Sequence, residues 1–428
     1  VSYSPIGYRN DLIVRGGGPS ENAFFIDGIE IPNINHFATQ GASGGPVSIL
    51  NSDLIREISF YTGSFPANRG GALSSVMDIT LKDGNPDKQA FKATIGASEV
   101  GVSASGHIGR KTTYIASVRQ SYLQLLFKLL GLPMLPNYID GQVKFKTKID
   151  SANELVFIGL AGFDNMKLSD DPDDAADRYL LSYLPTLRQE TFTVGTSYRH
   201  FGDGHVQTVS LGYSYLNNRS LKYLDNDESS EGNIILESSG LEGKGQARFE
   251  NRSYYGPWTV REGAEVSFRH YNGDVYRRLT DGTAQDYAAR LGIAGWGLYT
   301  SADYKSPGGK VNASFGLRAD GSSFSKETAK IWKQLSPRAS VSYMPWQSWS
   351  FNASAGMYHQ LPPLTALSFR DADGVMANKE LEYMSVVSAA AGVDWRLRDR
   401  LFVGLEGFYK QFLDIPLSVA TDVPLTCL

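Results

Sequence analysis

The sequence predicts a mixed α/β N-terminal region, residues 1–85, followed by an antiparallel transmembrane β-barrel, residues 86–428. Three observations predict it. Segments after Asn85 alternate apolar and polar residues with period two. The connections between them are short and long by turns, and aromatic residues cluster at the short ones. Composition allows this and narrows the rest. Lys plus Arg is 41 and Asp plus Glu is 45, a formal charge of -4, and that near-balance argues against a nucleic-acid binder. The one cysteine, Cys427, permits neither an internal disulfide nor a Cys-based zinc site. No apolar run reaches the roughly 18 residues of a transmembrane helix, a test that barrel strands escape because lipid-facing and lumen-facing residues alternate.

The N-terminal region is Gly-rich. Leu12–Val14 and Phe24–Ile26 read as short strands around a Gly-Pro turn, and Asp27-Gly28 is a strong turn signal. Gly16–Gly18 does not have P-loop spacing: no Gly-Lys-Ser/Thr follows and no helix pattern starts there. These glycines allow tight backbone passage instead. Asn51 or Ser52 caps a short helical turn ahead of a strand at 56–61.

In the barrel region, Val143, Phe145, Thr147 and Ile149 alternate with Lys144, Lys146 and Lys148. The stretch 258–269 alternates with one exception, Glu262. Val311, Ala313, Phe315, Leu317 and Ala319 oppose Asn312, Ser314, Gly316, Arg318 and Asp320. Similar pattern continues through 349–357 and 393–398. About fifteen such segments follow Asn85, most of about 9–13 residues, the length a tilted crossing strand needs. A soluble sandwich shows the same period, so the loops decide. Short turns such as Gly109–Lys111, Phe201–Gly204 and Pro345–Gln347 separate long connections near 122–140, 165–189, 219–242, 271–292, 321–334 and 361–384. That rhythm is the plan of an outer-membrane barrel. Tyr254, Tyr255 and Trp258 gather at one short turn, and Tyr343, Trp346 and Trp349 at another, as interfacial girdles do. Fifteen strands leave a barrel unclosed, so the chain reads as a fragment of a longer one.

Residues 1–85 resemble the plug domain of TonB-dependent outer-membrane receptors. The matching text is Val14-Arg15-Gly16 with Gly17 and Gly18, the Phe25-Ile26-Asp27-Gly28-Ile29 turn, and Gly70-Gly71-Ala72-Leu73-Ser74-Ser75-Val76 leading into Ile79–Lys82. Arg69-Gly70 stands where such plugs often carry Tyr-Gly. The variant looks most like receptors with a carboxypeptidase-regulatory-like domain upstream. Barrel phrases agree: Leu335–Tyr343, Ala355–Pro362 and Glu406–Lys410.

The resemblance implies a 22-stranded barrel filled by a plug, with about seven strands and the TonB box outside this sequence. It implies residence in the outer membrane of a Gram-negative bacterium, contact with outer-membrane lipid, and no enzymatic activity or cofactor. The expected activity is import of a bulky scarce nutrient, a ferric siderophore first, driven by proton-motive force through the TonB complex. Two alternatives stay open: a glycan or peptide importer with a surface lipoprotein partner, and a non-transporting signalling receptor or adhesin. The plug motif residues expected to matter for structure and gating are Arg15, Gly16, Gly17, Gly18, Asp27, Gly28, Gly70, Gly71, Ser74 and Ser75. His36 and Phe37 on a plug loop are candidates to face a ligand, against a satisfied loop histidine. Lys144, Lys146 and Lys148 share one face, and either pair with plug carboxylates or attract an anionic ligand. Asp170, Asp171, Asp173 and Asp174 suit Ca²⁺ by oxygen chemistry, but without EF-hand spacing a solvated acidic loop is the favoured reading. Tyr122–Pro136 reads as a short helix in an external loop, a candidate apolar lid. His36, His107, His200, His205, His270 and His359 lack metal-ligand spacing, and no hydrolase motif appears.

Overall fold

A computed structural model describes residues 11–169, 178–179, 181–182, 184–278, 282–371, 374–397 and 401–417. The acidic candidates Asp170, Asp171, Asp173 and Asp174 lie outside these residues.

The N-terminal unit is a four-stranded sheet in the order β2-β1-β6-β5. Its strands are β1 (Asn22–Ile26), β2 (Ile29–Ile31), β5 (Ile55–Tyr61) and β6 (Ser75–Leu81). The pair β1 and β6 is parallel; the others are antiparallel. A small ladder joins β3 (Asn35–His36) to β4 (Val47–Ser48). Among the described residues Leu12–Val14 forms isolated bridges and no ladder. Arg15 and Gly16 take left-handed φ angles, which folds Val14 back onto Gly17 in a single bridge. Asn51 does cap the turn Ser52–Leu54, its side chain accepting from the Asp53 N–H at 3.0 Å.

The remaining strands form one fifteen-stranded sheet in strict sequence order from β7 to β21. It begins with β7 (Ala90–Ile95), β8 (Glu99–Ile108), β9 (Thr112–Ser121), β10 (Met134–Lys148) and β11 (Asn153–Leu168). It continues through β12 (Thr186–Gly202), β13 (His205–Tyr223), β14 (Ile234–Tyr255), β15 (Trp258–Arg278) and β16 (Ala284–Lys305). It ends with β17 (Val311–Ser322), β18 (Leu335–Trp346), β19 (Trp349–Gln360), β20 (Met384–Leu397) and β21 (Leu401–Leu413). Every neighbour pair is antiparallel.

Burial is inverted relative to a soluble sheet. One face exposes Phe163, Phe192, Leu211, Phe249, Phe268, Leu298 and Phe315. The other buries Asp140, Asp164, Thr193, Ser197, Ser210 and Arg318. An apolar outside and a polar inside is the arrangement lipid demands. Tyr254, Tyr255, Trp258, Trp346 and Trp349 are exposed at the short-turn end, where Trp258 and Tyr304 meet at 4.9 Å. Several stretches expected as long loops are strand. β14 and β16 each run 22 residues, about 70 Å of chain at ~3.3 Å per residue, well beyond a tilted crossing. The connection after β13 therefore shrinks to 224–233. The expected helix in 122–136 is present as α1 (Leu123–Leu129), with Leu125 and Leu129 exposed.

The N-terminal sheet sits on the polar face and packs through both of its own faces. Phe24, Ile26, Ile29, Ile49, Ile79 and Leu81 meet Ile115 of β9 and Val156, Ile158 and Leu160 of β11. Ala23, Phe25, Phe65, Leu73 and Val76 meet Tyr358 of β19 and Met384 and Val386 of β20. Walls eight strands apart thus close on one small sheet.

Candidate functional site

The functional candidates converge on the seam between the N-terminal unit and the lumen. At its start, the Val14–Gly17 turn brings Gly17 so close to Ser74 that an added Cβ would lie 1.7 Å from the Ser74 Oγ. Beneath it Glu21 is a buried hub. It accepts from the Gly18 N–H (2.9 Å) and from the Ser74 hydroxyl, and it pairs with Lys410 of β21 at 3.2 Å. Arg15 pairs with Glu406 and lies over the Phe408 ring. Ser75 donates to the Asn22 Oδ1 at 2.6 Å.

Asp27 and Gly28 both have positive φ and form the tight turn joining β1 to β2. Asp27 then meets Lys144 at 3.1 Å, an ion-pair contact rather than an aligned hydrogen bond. Burial pushes the Asp27 carboxyl up, and Lys144 offsets only part of that. Lys144 also meets Asp83 and donates to the Leu81 carbonyl, each at 3.1 Å. Lys146 bridges Asp83 (2.9 Å) and Glu154 (3.1 Å). Burial would raise Asp83, but the ammonium groups of Lys146 and Lys144 outweigh it and hold the carboxyl below its usual range. Lys148 is exposed at the strand end. Of the two readings of this face, the structure places Lys144 and Lys146 in pairs with the N-terminal unit. Lys244 of β14 pairs with Glu30 in the same way.

The Gly70-Gly71 block explains itself by approach. A Cβ on Gly70 would stand 2.5 Å from the Arg318 guanidinium carbon. Gly71 needs its glycine for a φ of 69°. Arg318 is fully buried, bonded to Asp320, Glu265 and the Ala67 carbonyl. Arg338 donates through one nitrogen to three carbonyls, those of Phe65 (3.0 Å), Pro66 (2.7 Å) and Arg69 (2.8 Å). Its guanidinium lies between the Phe65 and Tyr358 rings. Tyr358 accepts from the Ser64 N–H at 2.7 Å. Arg69, where Tyr was expected, pairs with Asp78 of β6 at 2.5 Å and stacks on Phe25.

His36 is wholly buried. Its Nδ1 lies 2.5 Å from Asp164 and its Nε2 3.1 Å from Asp140. Its ring stacks on Tyr138 at 4.0 Å. Burial alone would lower its pKa; the two carboxylates outweigh burial and raise it. Both ring nitrogens are occupied, so His36 does not face a ligand in this conformation. Phe37, half-buried with φ 55°, gives its N–H to Asp164 at 2.7 Å.

At the long-loop end a cavity of about 1780 Å³ lies among the tips of β10 to β16. Lys128, Lys167, Arg188, Arg219, Asp225 and Glu237 contribute charges of both signs to its mixed lining.

Arg338, Arg318, Tyr358, Asp140, Asp164, Glu406 and Lys410 were not singled out from the sequence. Several signals were available. Arg338, Tyr358, Glu406 and Lys410 all fall within the barrel phrases quoted above, and Asp140 continues the inward-facing row of Lys144 and Lys146.

Residues 137–428 match the TonB dependent receptor-like, beta-barrel family. The chain belongs to the TonB-dependent receptors. Membership places it in the outer membrane of a Gram-negative bacterium, in a family whose members are not enzymes. No curated protein matches the chain in sequence. Solved TonB-dependent receptors share the fold at low identity. The ferric enterobactin receptor PfeA of Pseudomonas aeruginosa aligns with TM-score 0.67 at 13% identity over 93% of this chain and 64% of its own. The siderophore receptor PirA of Acinetobacter baumannii aligns with TM-score 0.65 at 14% identity over 96% and 67%. The outer membrane transporter YddB of Escherichia coli aligns with TM-score 0.66 at 12% identity over 97% and 65%. The chain thus spans about two thirds of the length of these receptors.

Proposed function

We propose that residues 1–85 act as the plug and residues 86–428 as part of the barrel of an importer energised through TonB. Its cargo is a bulky scarce nutrient, a ferric siderophore first. One observation supports the reading: the N-terminal unit packs on the polar face of the large sheet and is fastened to strands far apart in it, and a polar cavity lies at the loop end. A 22-stranded barrel is too wide for its own side chains to fill, so such a unit blocks passive flow. Passage then requires the unit to move, which requires energy. The Val-Arg-Gly and Gly-Gly-Ala-Leu-Ser-Ser-Val blocks act as structural and gating elements at the seam, and the motif variant goes with a carboxypeptidase-regulatory-like domain upstream. The siderophore choice draws on the fold's neighbours, among them a ferric enterobactin receptor and a siderophore receptor. A copper transporter with TM-score 0.67 and 11% identity shares the fold too, so fold alone does not select the cargo.

The test compares the abundance of the full-length receptor in outer membranes of iron-replete and iron-starved cells, then measures uptake of labelled ferric chelates. A rise on starvation, with uptake lost on deletion, is expected. Unchanged abundance and undiminished iron uptake would overturn the siderophore and turn the search to glycan, peptide or cobalamin-like cargo.

A further inference from the structure

The loop 33–45 is one part of the N-terminal unit that reaches toward the long-loop end. Its contacts with the barrel differ in kind. The Ala38 carbonyl accepts from Asn218 (2.9 Å) and Gln40 donates to Glu242 (3.0 Å), both partly exposed. His36 is the buried one, and its geometry carries a demand. A neutral imidazole has one N–H donor and one acceptor; only the imidazolium has two donors. Each His36 nitrogen faces a carboxylate oxygen. A neutral ring would set a lone pair against one carboxylate in a buried site.

The surrounding charges are all accounted for. Asp140 of β10 is shared with Arg119 of β9, whose NH2 group lies 2.9 Å away. Arg119 also pairs with Glu99 of β8 at 3.1 Å, and Glu99 accepts from the Tyr138 hydroxyl at 2.6 Å. Asp164 of β11 differs: among the described residues its partners are His36 and the Phe37 N–H. Its charge is balanced by the loop that it holds.

We propose that His36, held as an imidazolium between Asp140 and Asp164, is a protonation-dependent catch that fastens the mouth-facing loop of the N-terminal unit to the β10–β11 wall. Losing the proton leaves Asp164 without a cation and the loop with its weaker, part-exposed bonds. The raised pKa of His36 sets the direction. The catch holds fully below the ordinary histidine value of about 6.5. It is lost as pH rises through the higher folded value. The inference rests on the N-terminal unit occupying the lumen, and not on any cargo.

The experiment places a nitroxide spin label on Thr39→Cys, an exposed position in this loop, with Cys427→Ser and any cysteine outside residues 1–428 replaced as well. The full-length receptor is studied in outer-membrane vesicles from about pH 6 to about pH 10, bracketing the ordinary and raised values. An immobile spectrum at low pH should gain a mobile component reversibly as pH rises. Asp164→Asn, which keeps the shape and removes one charge, should move the midpoint down by about one pH unit or more. His36→Gln should show one spectrum throughout. A native spectrum that does not change with pH overturns the proposal, as does an Asp164→Asn midpoint equal to the native one. If His36→Gln fails to assemble, the native and Asp164→Asn titrations still decide. Spectra report loop mobility alone, so a failed uptake assay leaves this result standing.

Discussion

Gly70 approaches Arg318 so closely that its missing methyl group sets the spacing of the seam. The guanidinium cannot yield readily, because Asp320, Glu265 and the Ala67 carbonyl hold it. Gly70→Ala should therefore destabilise the seated N-terminal unit by roughly 1–3 kcal/mol, the range for overpacking. A lower urea midpoint for loss of protease protection in residues 64–74 would show it; an unchanged midpoint would show that the seam adapts. At this scale the sequence was half legible. Lys144 and Lys146 could be placed on one inward face by period two, and plug carboxylates were among their foreseen partners. The identity of those partners was not readable. His36 meets carboxylates 104 and 128 positions away, and no local pattern encodes a contact made only by the closing of a sheet. The same holds for Arg338 and the carbonyls of 65–69, some 270 positions earlier, separations of 269 to 273.

Strands obey the lipid they face. Leu298 of β16 points outward between Ala264 and Ala319 on neighbouring strands and is 56% exposed. Leu298→Arg should cost about 2–4 kcal/mol if it lies near the bilayer midplane. The readout is the fraction of full-length receptor showing heat-modifiable gel migration, expected to fall; full assembly would place this position outside the apolar band. The element scale also shows why strand number was readable while strand length was not. Within the bilayer, apolar and polar residues must alternate, so each crossing leaves a mark. Toward the long-loop end that pressure stops. In β14, outward Glu237 and Ser239 alternate with inward Ser238 and Gly240, so neither face is apolar. Such text reads as a loop, although its backbone continues the ladder to Ile234.

Across the whole molecule, the fifteen-stranded sheet ends at β7 and β21, which do not pair with each other among the described residues. An unsatisfied backbone group in hydrocarbon costs several kcal/mol. Residues 1–428 expressed alone should therefore give no heat-modifiable band, and a clear shift on boiling would contradict this. The central sheet of the N-terminal unit has one more consequence. β1 and β6 run parallel, and β6 leads on to the barrel at β7 while β1 follows the start of the chain. Tension between the chain's start and the barrel would pull these strands past each other lengthwise. The Val14–Gly17 turn, closed by one bridge, would open first. The five paired positions from Asn22 to Ile26 would then bear load together rather than one after another. Mechanically, the unit is a short leader tied to a stiff shear joint: a tug loads the leader first, and only a sustained pull reaches the sheet behind it.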